Sequence, residues 1–392
     1  MVVAYDPFSP EAMTDPYPLY RELREHAPVY RLEQYDAWAL SRFAEVWEVL
    51  EDRERFSIVE GPVFHRDRLL VPNAGPPAPP ANGLGSFAMM DPPEHTGFRQ
   101  AMHRSFTPRR AAAVAPDVEA DVAAQLAALD GRAEFDVVEE YAGPVATTAT
   151  LRFLGLPLAD AAWLRDRVTV SNRREPGRPG MPPAGLAARQ ETHDYLVAHV
   201  RTEPGEVACA LLAMGIDEAA AAIQLGSVLV GGVETLPKII AGALVRLAED
   251  PSQYAALRAD TGALPGAFEE AVRLEGVLQS VGRTLLADAV IGGQPMTAGQ
   301  RVFLLLQSAN RDDREFPDAE RFDVRRVIPR HVGFGQGTHF CIGVQVARTA
   351  GVALLGGFAA RYPSYSVDLD GGERPPSEFQ IGWAHLPVAV GA

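Results

Sequence analysis

Hydrophobic and polar positions change their spacing several times along the chain, and each change predicts an element. "DPYPLYRELREHAP" (residues 15–28) carries apolar residues at helical spacing and ends at a proline, which predicts a short amphipathic helix. "VYRLEQYDAWALSR" (29–42) instead alternates on either side of Tyr35 and Asp36, the pattern of two half-buried strands joined by a turn. "FAEVWEVLED" (43–52) returns to the helical period. The first 60 or so residues thus read as a β-rich portion ahead of a helical remainder.

Two stretches interrupt the periodicity. "VPNAGPPAPPANG" (71–83) and "EPGRPGMPPAG" (175–185) are rich in proline, which removes backbone donors and fixes φ, so both predict long loops. Between residues 110 and 250 alanine, leucine and charged residues predict mostly helix. The longest segment starts at Asp217, a plausible N-cap, and stops before Pro251. At 1.5 Å per residue it is about 45 Å long, and its apolar centre predicts burial. Strand-like runs follow at "TLLADAVIGG" (284–293) and "QRVFLLLQSA" (300–309), then a helix from about residue 342 and a short β-like tail. The fold class expected is mainly α with small β-sheets, an α+β arrangement.

Length and charge narrow the function. The chain has 392 residues, which permits two or three domains on length alone. Its 47% hydrophobic and 22% charged content is that of a folded soluble protein. A net charge of -15 argues against a general role on nucleic acid or anionic membrane. The N-terminus lacks the pattern of a signal peptide, and no segment reads as a run of about 18 apolar residues, so a cytoplasmic protein with no membrane span is expected. Two cysteines, Cys209 and Cys341, cannot build a disulfide framework, and no C-x-x-C suggests structural zinc.

Four constellations carry candidate chemistry. The first is Phe334-x-x-Gly337-x-His339-x-Cys341-x-Gly343, a glycine-rich loop running into a helix whose N-terminus favours a thiolate. Locally, Cys341 fits a buried structural cysteine, a nucleophile with His339 as base, or a metal or heme ligand, and the spacing leaves all three open. The second is "GGVETLP" (231–237) inside the longest helix, where two glycines and Pro237 weaken the backbone ladder beside an acid and an alcohol, Glu234 and Thr235. Glu270-x-x-Arg273 is the third, with Arg321 in "FPDAERFD" a candidate to share the carboxylate. The fourth is "DPPEHTGFRQAMHRSFTPRR" (91–110), where His95 and Arg99 lie on one helical face and repel unless an anion sits between them.

Taken together, the four motifs resemble cytochrome P450, and the resemblance runs from end to end of the chain. The loop Phe334 to Gly343 matches the family's heme-binding pattern, Glu270 and Arg273 its Glu-x-x-Arg pair, Gly231 to Thr235 its oxygen-binding groove, and Asp91 to Arg99 its C-helix pattern. The resemblance implies one P450 domain over 1–392, with heme b between the long central helix and the Cys341 loop. Cys341 is then the axial thiolate, His95, Arg99, Arg283 and His339 bind the propionates, and Phe334, Gly335 and Gly343 shape the loop against the porphyrin. Glu270, Arg273 and Arg321 become a structural triad, while Thr235 and Glu234 help deliver protons to bound oxygen.

Further consequences of the resemblance concern the reaction. It implies monooxygenation, either hydroxylation or O- or N-dealkylation, with O2 as co-substrate and electrons from NAD(P)H through a ferredoxin and its reductase. Arg104, Arg109, Arg110 and Arg348 are candidates for the donor's docking patch. A pocket of Phe87, Met89, Met90, Val228, Gly231, Gly232, Val281, Gly282, Ile381 and Trp383 implies a small hydrophobic substrate, and the protein is expected to be a monomer. Val233 and Leu236 depart from residues often found beside the acid-alcohol pair of the family. Non-hydroxylating chemistry on the same fold (coupling, rearrangement or peroxide use) and a Cys341 hydrolase are the alternatives.

Overall fold

The computed structural model describes residues 3–72, 75, 85–173 and 181–391. The two strands expected at the N-terminus form as β1 (Val29–Leu32) and β2 (Ala37–Leu40), joined by a turn in which Asp36 takes a positive φ of 46°. They do not make a sheet by themselves. β2 pairs in parallel with a strand from far along the chain, β5 (Arg301–Leu304), which is followed by β4 (Val281–Leu285) and β3 (Phe56–Ser57). The N-terminal 60 residues are therefore not a β-rich unit ahead of a helical remainder. They also carry the helices Pro10–Thr14, Tyr17–His26 and Phe43–Glu51, and their strands are completed by residues 281–304. All four residues of β2 are buried, so it needs partners on both edges; β1 supplies one and the later segment the other.

Five helices frame the site: α1 (Glu94–His103), α2 (Gly143–Leu154), α3 (Glu218–Glu249), α4 (Leu264–Glu275) and α5 (Val344–Arg361). α3 begins at the expected cap, with the Asp217 carboxylate accepting from Ala220 N at 2.8 Å. It runs 32 residues and packs on α2, α4 and α5. Its apolar centre is long and apolar enough to cross a membrane, contrary to the expectation that no segment is, but 56% of that window is buried inside the protein. One large core cluster wraps α3, with Leu225, Leu229, Ile240 and Leu244 at 0–1% exposure; a second lies under the sheet around Leu40, Val302 and Leu304. Burying a leucine or isoleucine of this kind contributes about 1.5–3 kcal/mol, so the helix is fixed by packing rather than by propensity.

The proline-rich stretches fall largely outside the described residues, except that the second ends sooner than expected. Pro183 opens a helix, Pro183–Thr202, because proline is tolerated in a first turn where its missing N–H would have no partner. The tail strand Pro387–Val390 pairs antiparallel with Glu134–Asp136 and Tyr365–Val367.

Candidate active site

The loop before α5 is shaped by glycines in the left-handed region. Gly335 and Gly337 take φ of 69° and 68°, and a Cβ on Gly337 would lie 2.5 Å from the Leu50 carbonyl oxygen, so no larger residue fits there. The turn returns the chain so that Cys341 N donates to the Phe334 carbonyl at 2.9 Å. Gly343 caps α5, and its N–H is directed to the Cys341 sulfur. Burial pushes the Cys341 thiol up, opposed by the Gly343 N–H and by the charges of Arg99 and Arg348. A thiol balanced in this way loses its proton once it ligates a metal. Phe334 lies beneath the Arg348 guanidinium, 5.6 Å from its ring centre. Cys209, by contrast, is exposed, and its thiol donates to the Pro204 carbonyl at 3.4 Å.

On the other side of this loop, four basic side chains converge, with the Asp91 carboxylate acting on two of them, His95 and Arg283. His95 is 1% exposed, and neither of its ring nitrogens has a partner. Its ring centre lies 4.2 Å from that of His339. Arg283, 5% exposed, makes one hydrogen bond, from Nη1 to the carbonyl of its neighbour Gly282 at 2.8 Å. Burial lowers His95 to about 4 and Arg283 to about 10, and His339 falls to about 2 through burial and the nearby Arg283, His95 and Arg99. Burial also lowers Arg99. Buried donors and guanidinium charges that are only partly satisfied are costly, so the cluster fits a ligand that brings anionic oxygens. The donor set suits the two propionates of a heme, and the sulfur of Cys341 beside it suits the iron.

The groove in α3 is continuous helix despite its two glycines and Pro237. The glycines differ in their surroundings. A Cβ on Gly231 would meet nothing within 4 Å, whereas one on Gly232 would sit 2.2 Å from Oγ1 of Thr150 on α2. Gly231 thus faces open space, and Gly232 is a helix-packing residue rather than pocket lining. Thr235 donates its hydroxyl to the Gly231 carbonyl at 2.6 Å. Glu234 is not a free acid: Lys238 Nζ lies 3.1 Å from its Oε2 and 2.9 Å from Oε1 of Gln380 in the C-terminal tail. The sequence reading missed Lys238, although a signal existed, since it is the one lysine in the chain.

The buried ion-pair network also needs correction. Arg273 and Glu270 are both fully buried and joined by two hydrogen bonds of 2.6 and 2.8 Å. Arg273 further donates to the carbonyls of Asn310 and Ala319. The third member is Arg326, whose Nε lies 3.0 Å from Glu270 Oε1. Arg321 is exposed and contributes only its backbone carbonyl, which accepts from Arg326 at 2.9 Å. The turns between residues 316 and 326 send the Arg321 side chain outward and bring Arg326 back over α4.

The remaining predicted residues divide. Phe87, Met90, Val228 and Trp383 belong to one core assembly around α3, and Val281 to the cluster under the sheet. Phe87 is held by Gln224, which accepts from its N–H at 2.7 Å, and its ring stacks on His95. Ile381 is buried, with its N–H bonded to the Val277 carbonyl. Met89 is 39% exposed. Gly282 is a packing glycine, because a Cβ there would lie 2.7 Å from the Phe64 ring. Of the candidate docking arginines, Arg104 and Arg109 are exposed; Arg110 is turned to the Arg152 carbonyl, and Arg348 is paired to Glu269 at 2.6 Å.

A family model described as Cytochrome P450 matches residues 207–362. "Putative cytochrome P450 123" of Mycobacterium tuberculosis is 33% identical to this chain over 99% of its length and 97% of that protein. "Cytochrome P450 monooxygenase PikC" of Streptomyces venezuelae is 34% identical, covering 95% of this chain and 91% of that one. Among solved structures, that of CalO2 superposes with a TM-score of 0.86 at 29% identity, covering 100% of this chain and 99% of that one. A mutant of P450 EryK in complex with erythromycin B gives 0.83 at 27% identity, covering 97% and 98%.

Proposed function

The chain belongs to the cytochrome P450 family and is an oxidoreductase of that family, and from this premise we propose a heme-thiolate monooxygenase that hydroxylates or dealkylates a small hydrophobic substrate. The observation that carries the reading is the convergence of His95, Arg99, Arg283 and His339 beside the Cys341 sulfur, with both ring nitrogens of the buried His95 unpartnered. In this reading Cys341 would hold heme b through its thiolate. When bound, the heme supplies oxygen activation, which thiolate donation directs toward O–O cleavage.

This chain's own residues do the rest. Arg99 and Arg283 bring two positive charges to two propionates, while His95 and His339 donate N–H groups. The Gly343 N–H steadies the sulfur charge, and Gly335 and Gly337 let the loop lie flat. Gly231 leaves room over the groove, where the Thr235 hydroxyl and Glu234 carboxylate move protons to oxygen. The apolar set Phe87, Met90, Val228, Val281, Ile381 and Trp383 excludes water around a hydrophobic substrate. Electrons reach the site from NAD(P)H through a ferredoxin and reductase, with the exposed Arg104 and Arg109 on the docking face. A monomeric cytoplasmic enzyme, folded as one domain over residues 1–392, completes the proposal.

The test is an absorption spectrum of the purified holoprotein. Thiolate ligation gives the red-shifted band of the reduced CO complex, and Cys341→Ala abolishes it. His95→Phe retains the band but weakens heme affinity roughly tenfold, the loss of about 1.4 kcal/mol, read by heme transfer to apomyoglobin. A wild-type protein without that band, or a Cys341→Ala protein that keeps it, refutes the assignment.

A further inference from the structure

Among 36 lysines and arginines the chain holds one lysine, Lys238, and it stands one turn beyond the acid of the groove. Its ammonium bridges Glu234 Oε2 at 3.1 Å and Gln380 Oε1 at 2.9 Å. The lysine and glutamate side chains are 15% and 9% exposed, so water competes little for the pair.

The tail is shaped around the lysine. Gly382 takes a φ of 134°, and a Cβ there would lie 2.9 Å from Lys238 Cβ, 3.3 Å from Cγ and 3.4 Å from Cδ. The missing side chain at Gly382 is the channel through which the lysine stem passes. Gln380 is fixed in turn, bridged to Leu278 and flanked by bonds from Gln279 N to the Phe379 carbonyl and from Ile381 N to the Val277 carbonyl. A compact ammonium with three donors can hold both oxygens at the end of so narrow a passage, which the wide planar guanidinium used elsewhere in the chain does not match.

Resting on the monooxygenase reading, we propose that Lys238 is a positioning residue for oxygen activation: it ties the Glu234 carboxylate to the C-terminal tail through Gln380. A glutamate side chain has three torsions to sample, and the tether to a fixed tail removes that freedom. The carboxylate beside Thr235 thereby takes its orientation from the segment that carries Ile381 and Trp383. The carboxylate's reach toward the groove is set by the tail, rather than by α3 alone.

The test uses the heme-loaded enzyme as wild type, Lys238→Met, Gln380→Leu and the double variant. In enzyme labelled with 15N-lysine and held as the diamagnetic ferrous CO form, the single side-chain ammonium gives one slowly exchanging signal, which shifts or exchanges faster in Gln380→Leu. With plant-type ferredoxin, its reductase and NADPH, each peroxide consumes one NADPH and each pair of waters consumes two. The ratio of peroxide to water rises at least threefold in either single variant, and the double variant goes no further than the larger single, because both cut one tether. An unmoved lysine signal, an unchanged ratio, or effects that multiply in the double variant overturns the proposal. Loss of the CO band in wild type overturns the monooxygenase reading together with it, whereas a normal band with unchanged ratios overturns the lysine's role alone. If Lys238→Met does not fold, Gln380→Leu still decides through both readouts.

Discussion

Replacing Arg326 with alanine removes four hydrogen bonds from one guanidinium: to Glu270 Oε1 at 3.0 Å, and to the carbonyls of Pro317, Asp318 and Arg321 at 2.6, 3.0 and 2.9 Å. The side chain is 11% exposed and its carboxylate partner 0%, so solvent does not replace it. Glu270 keeps Arg273 and the Asp323 N–H, which holds the loss near the 3–5 kcal/mol range for breaking a buried pair, about 4 kcal/mol. Unfolding entropy of about 2.1 cal/mol/K per residue over 392 residues is about 0.8 kcal/mol/K, which converts this to a Tm lower by about 5 °C. Arg321→Ala, at an exposed side chain, changes stability by no more than about 0.5 kcal/mol and Tm by less than about 1 °C. Calorimetry of the two holoproteins side by side decides the matter. Equal losses, or a larger loss in Arg321→Ala, refute the assignment of Arg326 as the third member.

Two further outcomes are expected. Burial opposes ionisation of Glu269, but hydrogen bonds from His331 and Arg348 prevail and hold it down at about 2, against an ordinary 4.5. Its folded pKa is depressed, so its stabilisation, about 3 kcal/mol, is fully present above pH 4.5 and fades as pH falls toward 2; Glu269→Gln flattens that limb of a denaturation-midpoint profile, and an identical acid limb in the variant counts against it. Gly231→Ala stabilises α3 by about 0.5–1 kcal/mol, because its Cβ meets open space, whereas Gly232→Ala destabilises by 1–3 kcal/mol against Thr150. Urea unfolding of the pair checks this, and effects of the same sign sink it.

How far the sequence was legible depended on whether the interaction was local. The 32-residue helix and its Asp217 cap follow from one cap residue and one apolar run, and both appear where expected. The Cys341 loop was recognisable because its glycines are demanded by backbone geometry. Arg326 was not, because two arginines five positions apart differ only in how an irregular turn aims them. Gly232 and Gly282 read as pocket lining in sequence because a glycine beside a groove looks the same there whether it opens space or admits a neighbour; the neighbours, Thr150 and Phe64, lie 82 and 218 positions away. Lys238 carried a compositional signal, but its partner in the tail is 142 residues distant.

The parallel register of β2 with β5, Ala37 beside Arg301, sets a schedule for the nascent chain. At about 5–20 residues per second, the ribosome reaches Arg301 roughly 13–50 s after it has made Ala37. Through that interval β2, whose side chains are all destined for burial, has only the hairpin partner β1 and an open edge. Holdase chaperones that bind short apolar strands therefore have a window of that length at residues 37–40, and a slow codon run ahead of residue 301 would lengthen it.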